Sequence, residues 1–95
     1  MDNKTEKRTA QLEIIHSKAK EVFIKKNTDY GDAFATFGVV GVLVRIQDKL
    51  LRFMNINKKS GISLVNDETL QDTLLDLHNY CAMALMLMNE DDDKE

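Results

Sequence analysis

Apolar residues recur at three- and four-residue spacing along most of the chain, a period that predicts helices. Between residues 6 and 26 the stripe is Leu12, Ile15, Ala19, Val22 and Phe23, with charges filling the opposite face. A second helix is predicted over residues 38–55. Its opening VVGVLV is rich in β-branched residues and also reads as a strand. Helix is preferred because the following IQDKLLRFM continues without a break and keeps the helical period. A third helix is predicted over residues 66–88. Asn66 is a good N-cap, and Asp67 and Glu68 put negative charge in the first turn, where the helix dipole favours it. Val65 and Leu70 stand where a hydrophobic staple joins the chain before a helix to its first turn.

The segments between these helices carry turn chemistry. Residues 27–37, NTDYGDAFATF, form a connector with the turn formers Asn27, Asp29 and Gly31 and a short helical turn over residues 32–36. Residues 57–64, NKKSGISL, form a polar loop around Gly61. There is no proline and there are four glycines, which suits long helices. The expected fold is all-α: three long helices plus a short connector helix. Residues 1–5 and the acidic tail 89–95, NEDDDKE, are expected to fray.

Size adds a constraint. Ninety-five residues make one domain, 1–95, and a chain this short buries a modest share of its surface. The second half of the last helix, CAMALMLM, is apolar all round and is expected to be buried all round. Three helices give too little cover for it, so a homodimer or higher homo-oligomer is expected to complete the bundle.

Composition excludes some functions. A net charge of -3 lacks the basic excess of a nucleic-acid binder, so no direct DNA or RNA binding is expected. Cys81 is the only cysteine, which rules out an intramolecular disulfide and a metal site built on cysteine clusters. It is expected in the core. The longest apolar run, residues 81–88, is too short to span a bilayer, and residues 1–8 lack the apolar stretch of a signal peptide. A cytoplasmic location without membrane contact is expected.

The candidate chemistry lies on two charged stripes. On the last helix Leu70, Leu74, Leu77, Cys81, Ala84, Leu85 and Met88 share one face, the expected core face. Glu68, Asp72, Asp76 and Asn79 share the opposite one. Extended by a turn, the acidic stripe meets Met83 and Met86 in the all-round apolar region, so it is expected to line a cleft or subunit interface. Carboxylates at i and i+4 share a helix face, and two or three of them can hold Mg²⁺. Glu68, Asp72 and Asp76 are the candidate metal ligands.

On the second helix Arg45, Asp48, Lys49 and Arg52 form a narrow strip. Val39, Leu43, Ile46, Leu50, Phe53 and Met54 cover the other side, flanked by Val40, Val44 and Leu51. Gly38 and Gly41 extend the strip and let a ligand or another backbone approach closely. Three cations on one strip suit phosphate oxygens, which arginine binds in bidentate fashion. The plainer reading pairs Arg45, Lys49 and Arg52 with Glu68, Asp72 and Asp76 across a helix–helix interface, and the two readings are compatible. His16 and His78 have no second histidine at zinc-ligand spacing, and there is neither a catalytic-triad pattern nor a Walker-type phosphate loop.

The run KNTDYGDAF from Lys26, then VRIQDKLLR, then NDETLQDTLLDLHNYCAMAL, together resemble the nucleotide modification associated domain type 1 proteins of bacteriophages and their hosts. The resemblance covers residues 26–88. In the connector it carries over Lys26, Asp29, Tyr30 and Gly31, and on the second helix Arg45, Asp48, Lys49 and Arg52. On the last helix it carries over Asp67, Glu68, Asp72, Asp76, Asn79 and Tyr80. That family is similar in outline to the all-α MazG-like pyrophosphatases, which use acidic pairs on two helices to hold Mg²⁺ and cleave nucleoside triphosphates. Those have Glu-Glu-x-x-Glu on the earlier helix and Glu-x-x-Asp on the later one. Here the earlier helix offers Asp48 among cations, and the later one spaces Glu68, Asp72 and Asp76 four apart.

Three functions follow from the residues and the resemblance. In the first, a Mg²⁺-dependent pyrophosphatase, Asp48, Glu68, Asp72 and Asp76 are catalytic through the metal. Arg45, Lys49, Arg52 and Lys26 hold phosphates, Tyr30 or Tyr80 stacks on the base, and Asp29 and Asn79 complete the ligand-binding set. The second is a non-catalytic sponge for a signalling nucleotide, which a phage would deploy in the host cytoplasm against host immunity. The third is a structural interaction module whose stripes are interhelical salt bridges.

Overall fold

A computed structural model describes the backbone of residues 2–60 and 67–94 and the side chains of residues 2–55 and 70–90. Every regular element among them is helical: α1 (Asn3–Tyr30), a 3-10 turn (Ala33–Ala35), α2 (Gly38–Ser60) and α3 (Asp67–Lys94). None is long and apolar enough to cross a membrane. The expected Asn66 cap, the Val65 end of the staple and the glycine of the polar loop, Gly61, lie outside the described residues.

The chain forms two compact units, Met1–Gly31 and Asp32–Glu95. The first is α1. It starts three residues before the expected residue 6 because Asp2 caps it. The Asp2 carboxylate accepts the Thr5 N–H at 2.7 Å and the Thr5 hydroxyl at 3.2 Å, which holds its pKa below the usual carboxylate value. The helix also runs past Lys26, through residues expected in the connector, and ends where Gly31 donates its N–H to the Asn27 carbonyl at 2.7 Å.

In the second unit α2 packs on α3. Lys49 meets Asp76, while Val42 clusters with Ala84 and Leu87, so the two helices run antiparallel. Phe34 of the 3-10 turn, Val39, Ile46, Tyr80 and Met83 close around that cluster. These contacts select helix over strand for VVGVLV, because Val39, Val42 and Ile46 fall on one helical face and all pack. Helix α2 continues to Ser60, through the first residues of the expected loop, and α3 continues to Lys94.

The packing faces differ from those the periodicity favoured. On α3 the side turned toward α2 includes Asp76, Tyr80, Met83, Ala84 and Leu87. Of the expected core face, Ala84 is buried and Leu70 and Leu77 are half-buried, whereas Leu74, Cys81, Leu85 and Met88 are exposed, and so is Met86. Cys81 is therefore a surface residue of this chain. On α2, Val42, Ile46 and Phe53 are covered to different degrees, whereas Val40, Leu43, Val44, Leu50, Leu51 and Met54 are exposed. A helix that is apolar on more than one side has no unique core face, and the partner decides which is used.

The glycines of α2 have local roles. Gly38 opens the helix at φ 67°, where an L side chain is strained. A Cβ on Gly41 would come within 2.7 Å of the Phe37 Cβ, so the bare position admits that side chain. Gly38→Ala should lower stability by about 1 kcal/mol, the cost of a left-handed alanine. Chemical denaturation of the variant against wild type checks it.

Candidate functional site

The polar strip of α2 rises at i, i+4 and i+7 from Arg45 to Lys49 to Arg52, which keeps three cations on one line of the helix. Packing on α3 turns that line into the wall of an open cleft of about 310 Å³. Helix α2 contributes Arg45, Asp48, Lys49, Arg52 and Phe53, and α3 contributes Thr73 and Tyr80. Among the described residues the charged lining is three cations to one carboxylate, with Asp76 paired to Lys49, so that lining carries an excess of positive charge although the chain as a whole is acidic.

The cations differ in how they are held. Lys49 forms an ion pair with Asp76 across the helix–helix interface, and the two side chains are 33% and 14% exposed. Partial burial makes this pair a brace between the helices. Arg52 reaches the Asp48 carboxylate at 3.2 Å on its own helix, and both side chains are mostly exposed. Such a pair contributes about 0–1 kcal/mol and yields readily to a competing anion. Arg45 makes no ion pair among the described residues. One cation is thus locked and two remain available to an incoming anion.

Phe53 and Tyr80 add aromatic surface to the same cleft, and Thr73 adds a hydroxyl. An aromatic face beside guanidinium groups matches a base attached to phosphates, since stacking and charge-assisted hydrogen bonds then act on opposite ends of one ligand.

The structure therefore gathers Arg45, Asp48, Lys49, Arg52 and Tyr80 in one place, with Asp76 behind Lys49. Of the three cross-interface pairings considered from the sequence, it contains Lys49 with Asp76. Asp72 is exposed on α3 and does not line the cleft. Asn79 is buried, its side-chain oxygen 3.3 Å from His78 Nδ1. Lys26, Asp29 and Tyr30 are exposed at the end of α1, in the other unit, where i, i+3 and i+4 spacing puts them on one face. The side chains of Asp67 and Glu68 lie outside the described residues.

Phe53 and Thr73 line the cleft without standing among the candidate site residues of the sequence. The helical period puts Phe53 on the apolar side, yet it stands four residues after Lys49 and so borders the cationic strip. Thr73 precedes Tyr80 by two helical turns, and that spacing was the available signal.

Of the candidate magnesium ligands, the side chains of Asp72 and Asp76 are among the described residues and that of Glu68 is not. No three of the described histidine, cysteine, aspartate or glutamate side chains come together as a metal-binding group. Asp76 is engaged by a lysine, and Asp48 by an arginine.

Comparison with known proteins gives one family and no individual relative. No curated protein and no solved structure matches the chain. The family model for nucleotide modification associated domain 1 matches residues 26–88, which takes in the cleft-lining residues of both helices. The chain belongs to the nucleotide modification associated domain 1 family.

Proposed function

We propose that this protein binds a nucleotide in the α2–α3 cleft, with the phosphates on Arg45 and Arg52 and the base against Phe53 or Tyr80. The observation that carries this reading is the set of cations lining one aromatic-edged cleft, two of them without a strong competing partner. Lys49, held by Asp76, adds positive potential while keeping the helices in register. The domain's association with nucleotide modification agrees with a nucleotide ligand. Binding without hydrolysis is the favoured form, because cations outnumber carboxylates among the described residues lining the cleft. A protein of this kind would serve as a carrier or sponge. We also propose that the chain acts as a homodimer, because its second unit leaves apolar faces of both helices uncovered.

Calorimetric titration of the full chain with a nucleoside and its mono-, di- and triphosphates, with and without Mg²⁺, tests the binding reading. Affinity should rise about tenfold or more per phosphate, the worth of one charge-assisted hydrogen bond, without any need for Mg²⁺. The nucleotide should be recovered intact. Equal affinity for nucleoside and triphosphate would remove the phosphate reading, and Mg²⁺-dependent release of pyrophosphate would replace binding by hydrolysis.

A further inference from the structure

Two carboxylates of the chain itself already engage cations of the cleft. Asp76 of α3 pairs with Lys49, and Asp48 of α2 accepts from Arg52 at 3.2 Å. Each does what a ligand's anion would do, because an ionised carboxylate and a phosphate offer a cation the same kind of acceptor oxygens. The two pairs differ in how readily they separate. Lys49 and Asp76 are partly buried between the helices, so parting them strands charge at an interface. Asp48 and Arg52 are 54% and 76% exposed, so another anion can take over the guanidinium at little cost.

Rotation around α2 decides which way the exposed pair draws Arg52. At about 100° per residue, Lys49, Val42 and Ile46 lie roughly 40°, 60° and 100° from Arg45, on the side that packs against α3. Phe53 lies on that side too, at roughly 80°. Asp48 lies roughly 60° from Arg45 in the opposite sense, the farthest round from α3 of the residues that α2 gives to the cleft. Arg52 lies between, roughly 20° from Arg45. Its pair with Asp48 therefore draws the guanidinium toward the outer edge of the cleft.

From this arrangement we infer that Asp48 is the cleft's own counter-anion, which an incoming phosphate displaces from Arg52. The inference rests on the nucleotide reading above and adds a residue that opposes binding. Once released, Arg52 turns to the same anion as Arg45, from the same line of the helix. Asp48 acts against the ligand in two ways: it withholds a guanidinium, and its own charge repels phosphate. A residue that touches the ligand favourably weakens binding when it is removed. Removing Asp48 should strengthen it.

Calorimetric titration with inorganic triphosphate and with ATP, on wild type, Asp48→Asn, Arg52→Ala and the double variant, tests this. Asp48→Asn should bind either probe about tenfold more tightly than wild type. Freeing the guanidinium from an exposed pair gives up to about fivefold of that, and lifting a screened repulsion about twofold. Its melting temperature should stay within about 5 °C of wild type, because an exposed pair contributes little to the fold. In the Arg52→Ala background the same substitution should gain no more than about threefold, since only the repulsion is left to lift. A gain as large without Arg52 as with it overturns the counter-anion role and leaves plain repulsion. Affinity in Asp48→Asn equal to or below that of wild type also overturns it, and leaves the nucleotide reading standing. Binding of neither probe by any of the four chains overturns both.

Discussion

The Arg45→Ala, Arg52→Ala double variant should bind nucleotide at least about a hundredfold more weakly than wild type, while its melting temperature stays within about 5 °C. The two halves of this expectation come from different features of the same residues. Each arginine offers a phosphate a charge-assisted, bidentate hydrogen bond, worth about 1.5–3 kcal/mol, so losing two costs at least two decades of affinity. Neither contributes much to the fold. Arg45 makes no ion pair among the described residues, and the Arg52–Asp48 pair is exposed on a single helix. Removing an exposed pair changes stability by about 0–1 kcal/mol, and 1 kcal/mol moves the melting temperature of a domain this size by about 4–8 °C. Calorimetry with a nucleoside triphosphate and a thermal melt of the same samples read both quantities. The opposite outcome, intact affinity with a drop of about 10 °C or more, would assign these cations to interhelical bracing and remove the binding function. Placing lysine at both positions should recover part of the affinity, since the charge returns without the planar fork.

Asp76→Ala should do the reverse. It should lower stability by about 2 kcal/mol, or about 8–16 °C in melting temperature, because it leaves the partly buried Lys49 ammonium without its carboxylate. Full burial of the pair would raise the cost to about 3–5 kcal/mol, but Lys49 keeps some contact with water. Replacing both partners, Lys49→Met with Asp76→Leu, should return most of the loss, since no uncompensated charge then remains at the interface. Asp72→Ala is the matched control, because Asp72 is exposed on the same helix and should stay within about 0.5 kcal/mol of wild type. Denaturant titrations of the four chains give the comparison. An Asp76→Ala chain as stable as the control would mean that the Lys49–Asp76 contact is not a brace.

These expectations depend on a division of roles that the charged stripes alone did not disclose. The periodicity placed Arg45, Lys49 and Arg52 on one line and Asp72 and Asp76 on another, and both placements follow from helical geometry alone. It could not say that Asp76 meets Lys49 while Asp72 faces solvent. One turn of helix separates those two carboxylates, and which one reaches the neighbouring helix depends on axial register and rotation. The place of Phe53 depends on the same register and rotation. A residue at the border between an apolar and a charged face belongs to whichever surface the neighbouring helix leaves open.

Much of the secondary structure was legible. Apolar spacing located three helices, and turn chemistry located the break near Gly31, because both are properties of short stretches of chain. Helix ends were less so. Asp2 caps α1 ahead of its expected start, and the connector residues 27–30 continue α1, since a single side-chain hydrogen bond or one left-handed residue moves a boundary by a turn.

By itself, the sequence determined an all-helical chain, the line of cations on the second helix and the family match that spans both cleft helices. Only the tertiary structure decided that α3 turns Asp76, Tyr80 and Leu87 inward and leaves Leu74, Cys81, Leu85 and Met88 outside. It also decided that the Val42 side of α2, rather than the side around Gln47, packs within the chain. The physical reason is that a hydrophobic period describes one helix in isolation. Helices with apolar residues on two sides have two competing packing solutions. The choice falls to the paired terms, here the Lys49–Asp76 contact and the small volumes of Val42 and Ala84, which exist only once the helices meet.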